Sequence, residues 1–109
     1  MRTVTLPNQA LLSEVVKLLS EHRQVTIKAK GNSMMPFIVG GEDSVILQKE
    51  LTYGVGDIVL AEVTPGSFVL HRILKIDSKE VVLMGDGNVT GVEKCSLDAI
   101  HGRAIGIIR

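Results

Sequence analysis

The first part of the chain has apolar residues at every third or fourth position. Polar residues such as Ser13, Glu14 and Lys17 lie between them, and this spacing predicts an amphipathic helix over residues 8–22. The apolar stripe contains six aliphatic residues, Leu11, Leu12, Val15, Val16, Leu18 and Leu19. Burying such a stripe stabilises by about 10 kcal/mol. We therefore expect the helix to pack on the protein's own sheet or against a second copy.

After Arg23 the apolar residues recur at every second position, as in a half-buried strand. The first such strand contains Val25, Ile27 and Ala29 and ends at Gly31. The same pattern predicts further strands at 44–47, 57–63, 68–76, 81–84 and 104–108. Turn residues separate these segments, and Pro65-Gly66 indicates a hairpin.

These elements together predict a mainly β fold. We expect a coiled, mostly antiparallel sheet or partial barrel, with one N-terminal amphipathic helix. The chain shows no repeat and no interdomain linker. We therefore expect a single domain over 1–109, with a helical segment at 1–24 and a β-rich catalytic core at 25–109.

Composition excludes several function classes. Twelve basic and twelve acidic side chains give no net charge, and aromatic residues make up 3% of the chain, which argues against a nucleic-acid partner. Cys95 is the only cysteine, so neither an intrachain disulfide nor a multi-cysteine zinc site is expected. No uncharged stretch approaches the roughly 20 residues of a spanning helix. We expect a soluble chain, cytoplasmic or peripheral at a membrane, with its compartment left open.

Ser33 is the first candidate for chemistry. It lies in the segment 31–36, GNSMMP, directly after a predicted strand. A serine held on such a tight turn exposes its hydroxyl and aims neighbouring backbone N–H groups at one point, which is what acyl transfer needs. By itself the segment is more typical of an ordinary loop than of a catalytic site.

His71 and Asp86 are the second and third candidates. His71 lies in the middle of an apolar strand, where its imidazole can accept a proton near neutral pH; the alternatives are a core histidine or a residue at an exposed edge. Asp86 follows a strand in the turn 85–88, GDGN, where aspartate commonly bonds its own backbone. Arg72 is expected to form an ion pair with a nearby carboxylate, that of Asp57, Glu62 or Asp86.

The order of these segments resembles that of the signal peptidase superfamily, which includes the LexA-like self-cleaving repressors. The matching blocks are 31–36 (GNSMMP), 40–43 (GGED), 56–59 (GDIV), His71-Arg72 and 85–88 (GDGN). The resemblance runs from about Thr26 to the C-terminus, where 102–108 is similar to the closing strand of that superfamily. It implies a serine endopeptidase site on a coiled β-sheet.

With a histidine at position 71, the chain resembles the archaeal and endoplasmic-reticulum-type branch of that superfamily. In this branch a histidine takes the place of the lysine base. The resemblance implies that Ser33 is the nucleophile, that His71 is the general base and later the acid, and that Asp86 orients the imidazole. The backbone N–H groups of Ser33 and Met34 would form the oxyanion hole. No metal or organic cofactor is implied.

The chain departs from this branch at three points. Val92 stands where the branch commonly has a second aspartate, and Glu93 is the nearest carboxylate and an alternative helper of His71. Gly31 stands where signal peptidases often have a serine that assists the oxyanion hole. Because one lost donor costs roughly 10²–10³ in turnover, a slow enzyme is expected. The membrane anchor of the family's signal peptidases has no counterpart in this sequence.

The favoured function is a serine endopeptidase that hydrolyses an extended peptide, with small residues before the cut, through an acyl-enzyme. The first alternative is a catalytically degenerate domain of the same fold that binds a peptide or protein; Gly31 and Val92 favour it. The second is a self-cleaving regulator. The sequence offers neither a DNA-binding segment nor an obvious cleavage loop before Ser33, which argues against this alternative. Nothing in the sequence indicates an oligomeric state.

Overall fold

The computed structural model describes residues 3–5, 9–28, 43–87 and 91–108. In these residues it contains one α-helix, α1 (Gln9–Ser20), and a short 3₁₀ helix, Leu97–Ala99. The strands are β1 (Thr3–Thr5), β2 (Val25–Lys28), β3 (Ser44–Gln48), β4 (Ile58–Thr64), β5 (Ser67–Asp77), β6 (Glu80–Met84), β7 (Val92–Ser96) and β8 (Ile100–Ile108).

All the described strands belong to one sheet, with the order β1-β2-β3-β8-β4-β5-β6-β7. The β1–β2 pair is parallel, and every other neighbouring pair is antiparallel. Strand β7 also contacts β4, which lies three strands away in this order; the sheet is therefore coiled. The predicted mainly β fold with a single α-helix is confirmed.

Helix α1 covers one face of the sheet. Its residues Leu12, Val15 and Leu19 are buried in a first core cluster with residues of β2, β3, β4 and β5. Gly102 of β8 lies under the helix, and a side-chain carbon at that position would come within 3.1 Å of Cδ1 of Leu19. The prediction that the helix packs on the protein's own sheet is confirmed. Among the described residues, no helix is long and apolar enough to cross a membrane.

A second core cluster lies on the opposite face of β4 and β5. It contains Val59, Ala61, Ile73, Val81, Leu83 and Ile100. Side chains alternate along a strand, so Leu60 and Leu70 join the first cluster while Val59 and Ile73 join the second. The central strands are therefore buried on both faces, and each residue of β5 is assigned to one face or the other.

The predicted Pro65-Gly66 hairpin is confirmed. Strands β4 and β5 are antiparallel, and Thr64 pairs with Ser67 across the turn. Gly66 has φ +78°, the left-handed conformation that a type II turn requires at its third residue. The Gly66 N–H donates to Oε2 of Glu62 at 2.8 Å.

Three strands differ from the predictions by more than one residue. The pattern did not predict β1 or β7, and β8 begins at Ile100 rather than at residue 104. Strand β7 was missed because its one aliphatic residue, Val92, is 51% exposed, while Glu93 and Cys95 face the sheet interior. In this strand the aliphatic residue faces solvent and polar residues face the sheet interior, which is the reverse of the alternation that predicts a half-buried strand.

Candidate active site

His71 lies in the middle of β5, on the face of the second core cluster. It pairs with Val59 of β4, and directly paired residues share a sheet face. Only 7% of His71 is exposed to solvent, and Val59 and Ile73 beside it are fully or almost fully buried. The strand therefore holds the imidazole at the margin of an apolar core.

Glu93 reaches this imidazole from β7. It pairs with Leu83 of β6, and Leu83 pairs with Ile73 of β5, so Glu93 lies on the face of His71 and one row along the sheet. Oε1 of Glu93 is 2.6 Å from Nδ1 of His71. A carboxylate can only accept a hydrogen bond. Nδ1 of the neutral imidazole is therefore assigned the proton, and Nε2 keeps the lone pair that can take up another.

Asp86 binds Arg72 rather than His71. Arg72 pairs with Met84, and Asp86 follows Met84 by two residues, so alternation directs both Arg72 and Asp86 to the other face of the sheet. Nε of Arg72 donates to Oδ1 of Asp86 at 2.8 Å, and Nη2 donates to Oδ2 at 2.6 Å. These hydrogen bonds raise the pKa of Arg72.

The same guanidinium also holds a turn on the other side of β5. Nη1 of Arg72 donates to the carbonyl oxygen of Gly56 at 2.7 Å. Gly56 belongs to the turn that leads into β4, in which the Gly54 N–H donates to Oδ2 of Asp57 at 2.9 Å. Arg72 therefore joins this turn to the end of β6, next to the strands that carry the candidate site.

The carboxylate at Nδ1 of His71 is thus that of Glu93 and not, as the sequence predicts, that of Asp86. Asp86 instead forms one of the ion pairs that were expected for Arg72. Val92 pairs with Met84 and lies on the face of Arg72, so a carboxylate at position 92 in this register would point away from His71. The substitution of Val92 for the expected aspartate therefore removes no partner from this imidazole.

Ser33, Met34 and Gly31 lie outside the described residues, as do Asn88 and the rest of segments 29–42 and 88–90. The nucleophile and the oxyanion hole therefore remain predictions from sequence.

Three polar side chains that the sequence did not single out, those of Arg103, Glu50 and Tyr53, flank the candidate site. Arg103 pairs with Val59, the residue that also pairs with His71, and its Nη2 donates to Oε1 of Glu50 at 3.0 Å. The Glu50 N–H donates to the hydroxyl of Tyr53 at 3.1 Å, and burial raises the pKa of Tyr53. The Tyr53 ring packs against the second core cluster. These contacts fasten the segment between β3 and β4 beside His71.

Cys95 is half-buried on β7, and burial raises the pKa of its thiol. Because only the thiolate is a good nucleophile, this environment favours a structural role. Cavities of about 560 and 320 Å³ lie beside Cys95 and Ser96, and neither has His71 or Glu93 among its described lining residues. In the described ranges no three histidine, cysteine, aspartate or glutamate side chains are grouped so that they could hold a metal ion.

Comparisons with known proteins find no family model and no curated protein that matches this chain. The resemblance to signal peptidases therefore rests on the sequence segments themselves.

Proposed function

We propose that the protein is a serine endopeptidase of the signal peptidase type, in which Ser33 is the nucleophile, His71 the base and Glu93 the carboxylate that orients the base. The observation that supports this proposal most directly is the contact of 2.6 Å between Glu93 and Nδ1 of an imidazole that is 7% exposed. A carboxylate behind a histidine fixes its tautomer and stabilises the imidazolium that forms during acyl transfer.

The first half of the proposed reaction forms an acyl-enzyme. The Ser33 hydroxyl oxygen bonds to the carbonyl carbon of the scissile peptide, and its proton passes to Nε2 of His71. The backbone N–H groups of Ser33 and Met34 stabilise the oxyanion. The C–N bond then breaks, and His71 returns the proton to the leaving amine.

The second half releases the acyl group by hydrolysis. Water loses a proton to Nε2 of His71 as its oxygen bonds to the acyl carbon. The ester bond to Ser33 then breaks, and the serine oxygen recovers the proton from His71. Each step moves protons and electron pairs only between the peptide, water and these side chains, so the proposed reaction involves no cofactor.

The substrate class is taken from the resemblance. An extended peptide would lie against a sheet edge, where main-chain hydrogen bonds supply affinity. Arg72 and Asp86 have a supporting role in this proposal, since they hold the end of β6 to the turn before β4.

Labelling with a fluorophosphonate tests the proposal, because an activated serine oxygen attacks the phosphorus of such a probe, displaces fluoride and is left as a stable phosphonate ester. We expect one adduct, mapped to Ser33 by mass spectrometry, which Ser33→Ala abolishes and His71→Gln largely removes. Ser96→Ala is the matched control, since Ser96 is an exposed serine, and should label normally.

A folded protein that takes up no probe would overturn the peptidase proposal and favour the peptide-binding alternative. An adduct that persists in Ser33→Ala would overturn the assignment of the nucleophile.

A further inference from the structure

His101 occupies an irregular point in the middle of the sheet. Leu60 of β4 pairs with Gly102 of β8, and the next residue, Ala61, pairs with Ile100. His101 therefore lies between two paired residues as the extra residue of a β-bulge. This bulge interrupts the pairing of β4 with β8, which we call the seam. The seam joins the half of the sheet that contains β1, β2 and β3 to the half that contains β5, β6 and β7.

The imidazole of His101 is held without a hydrogen bond at one nitrogen. Its Nε2 is buried and has no hydrogen-bond partner among the described residues. The nearest carboxylate oxygen is Oε1 of Glu62 on β4, at 3.6 Å, which is too far for a hydrogen bond. From β5, the ring of Phe68 packs beside it with a centroid distance of 6.0 Å.

Two charged groups act on this imidazole, and they oppose one another. Burial is the largest influence and lowers the pKa of His101, Glu62 raises it, and Lys49, which follows β3, lowers it. The net direction is downward. The surroundings therefore favour the neutral ring, which is consistent with the unpartnered nitrogen.

Protonation would attract Glu62 towards the imidazole. The carboxylate would have to approach Nε2 to within about 3 Å for a charge-assisted hydrogen bond. Its other oxygen already accepts the Gly66 N–H at 2.8 Å in the β4–β5 turn. Glu62 thus lies between the imidazole of His101 and the turn of the β4–β5 hairpin, whose second strand contains His71.

We propose that His101 is an acid-sensitive switch in the seam between β4 and β8. While the imidazole is neutral the two strands stay paired, and protonation of the imidazole promotes their local opening. The sign follows from linkage. Because the folded-state pKa of His101 is lowered, the unfolded chain binds this proton more readily than the folded chain. The contribution of His101 to stability is complete above the unfolded value of about 6.5 and declines as the pH falls below it. The switch does not depend on the proposed peptidase activity.

A titration of the unmodified protein by NMR gives the first test. The imidazole C–H resonances of His101, assigned by comparison with His101→Gln, should titrate with a midpoint below the ordinary histidine value of about 6.5. Glu62→Gln should lower this midpoint further and Lys49→Gln should raise it, since the two charges act in opposite directions. A midpoint at or above the ordinary value would overturn the proposal, whatever the stability of the variants.

Amide hydrogen exchange gives the second test, because it reports opening at individual sites. After correction for the intrinsic rates, the amides of β4 and β8 around His101 should exchange several-fold faster at pH 5 than at pH 7.5, relative to those of β2 and β3. His101→Gln should remove most of this difference, whereas His22→Gln, at an exposed histidine, should retain it. A pH dependence that is uniform over the sheet, or unchanged in His101→Gln, would contradict the switch.

Discussion

Two neighbouring residues of β5 each bind a carboxylate, on opposite faces of the sheet. His71 meets Glu93 through one contact of 2.6 Å on the face of the second core cluster. Arg72 meets Asp86 through two parallel hydrogen bonds on the other face and also bonds the carbonyl of Gly56. Within the described part of the chain, Arg72 thus connects Asp86 to the turn before β4.

The two pairs also differ in their chemistry. A guanidinium remains charged at all ordinary pH values and binds carboxylates as a rigid fork, so it is suited to holding structure. An imidazole has a donor and an acceptor that exchange roles, so it can pass a proton while one nitrogen stays anchored. Adjacent positions on one strand thus provide a structural pair and a pair that can do acid–base chemistry, separated by the alternation of side chains alone.

The largest effect is expected when the His71 pair is broken. Under the proposed function, Glu93→Gln should reduce the fluorophosphonate labelling rate at Ser33 by up to about 10⁴-fold, because an amide in place of the carboxylate allows the wrong tautomer. Lys94→Gln, at the next position of β7, is the control and should label at the normal rate. Labelling of Glu93→Gln at the rate of the unchanged protein would remove Glu93 from the proposed site.

Breaking the Arg72 pair should affect stability more than labelling. Arg72→Met removes the fork from Asp86, whose side chain is 13% exposed, and the free energy of unfolding should fall by about 1–3 kcal/mol. The loss is smaller than for a fully buried pair because Arg72 itself is 32% exposed and solvent screens its charge. Urea unfolding measures the loss, and the labelling rate of the folded fraction should fall by far less than in Glu93→Gln.

A double-mutant cycle with Asp86→Asn sharpens this result. If the two side chains act as a unit, the effects of Arg72→Met and Asp86→Asn on unfolding should sum to more than the effect of the double variant. Additive effects would show that Arg72 and Asp86 do not act as a unit. A labelling loss as large as that of Glu93→Gln would show that the structural and chemical pairs are not separated as proposed.

Much of this fold follows from periodicity. Helix α1 and strands β2 to β6 have apolar stripes of the right period, and the structure places them within a few residues of the prediction. Strand β7 has no such stripe, since its half-buried residues include Glu93 and Cys95, and its aliphatic residue, Val92, is exposed. Its place is set by pairing with the preceding strand β6, and this pairing leaves no apolar pattern in the sequence of β7.

The candidate site divides in the same way. His71 could be assigned to a strand and a face from the residues around it. Asp86 could have been assigned to the face of Arg72, because it stands an odd number of positions after Leu83. The resemblance to the signal peptidase branch with histidine instead implied a contact with His71. Glu93 could be named only as an alternative helper of His71. Residues 85–91 connect β6 to β7, and the register across that connection decides whether position 92 or 93 faces the imidazole.

That register gives the smallest expected effect and the sharpest test of the two faces. Val92 lies on the face of Arg72 and is half-exposed, so Val92→Asp should change the free energy of unfolding by no more than about 0.5 kcal/mol. For the same reason the double variant Val92→Asp/Glu93→Gln should label as slowly as Glu93→Gln alone, since the new carboxylate points away from Nδ1 of His71. Glu93→Asp, which keeps a carboxylate on the correct face but shortens it by one methylene, should label faster than that double variant. Recovery of labelling by an aspartate at position 92 would show that β7 shifts by one residue in solution, and the assignment of Glu93 to His71 would then be wrong.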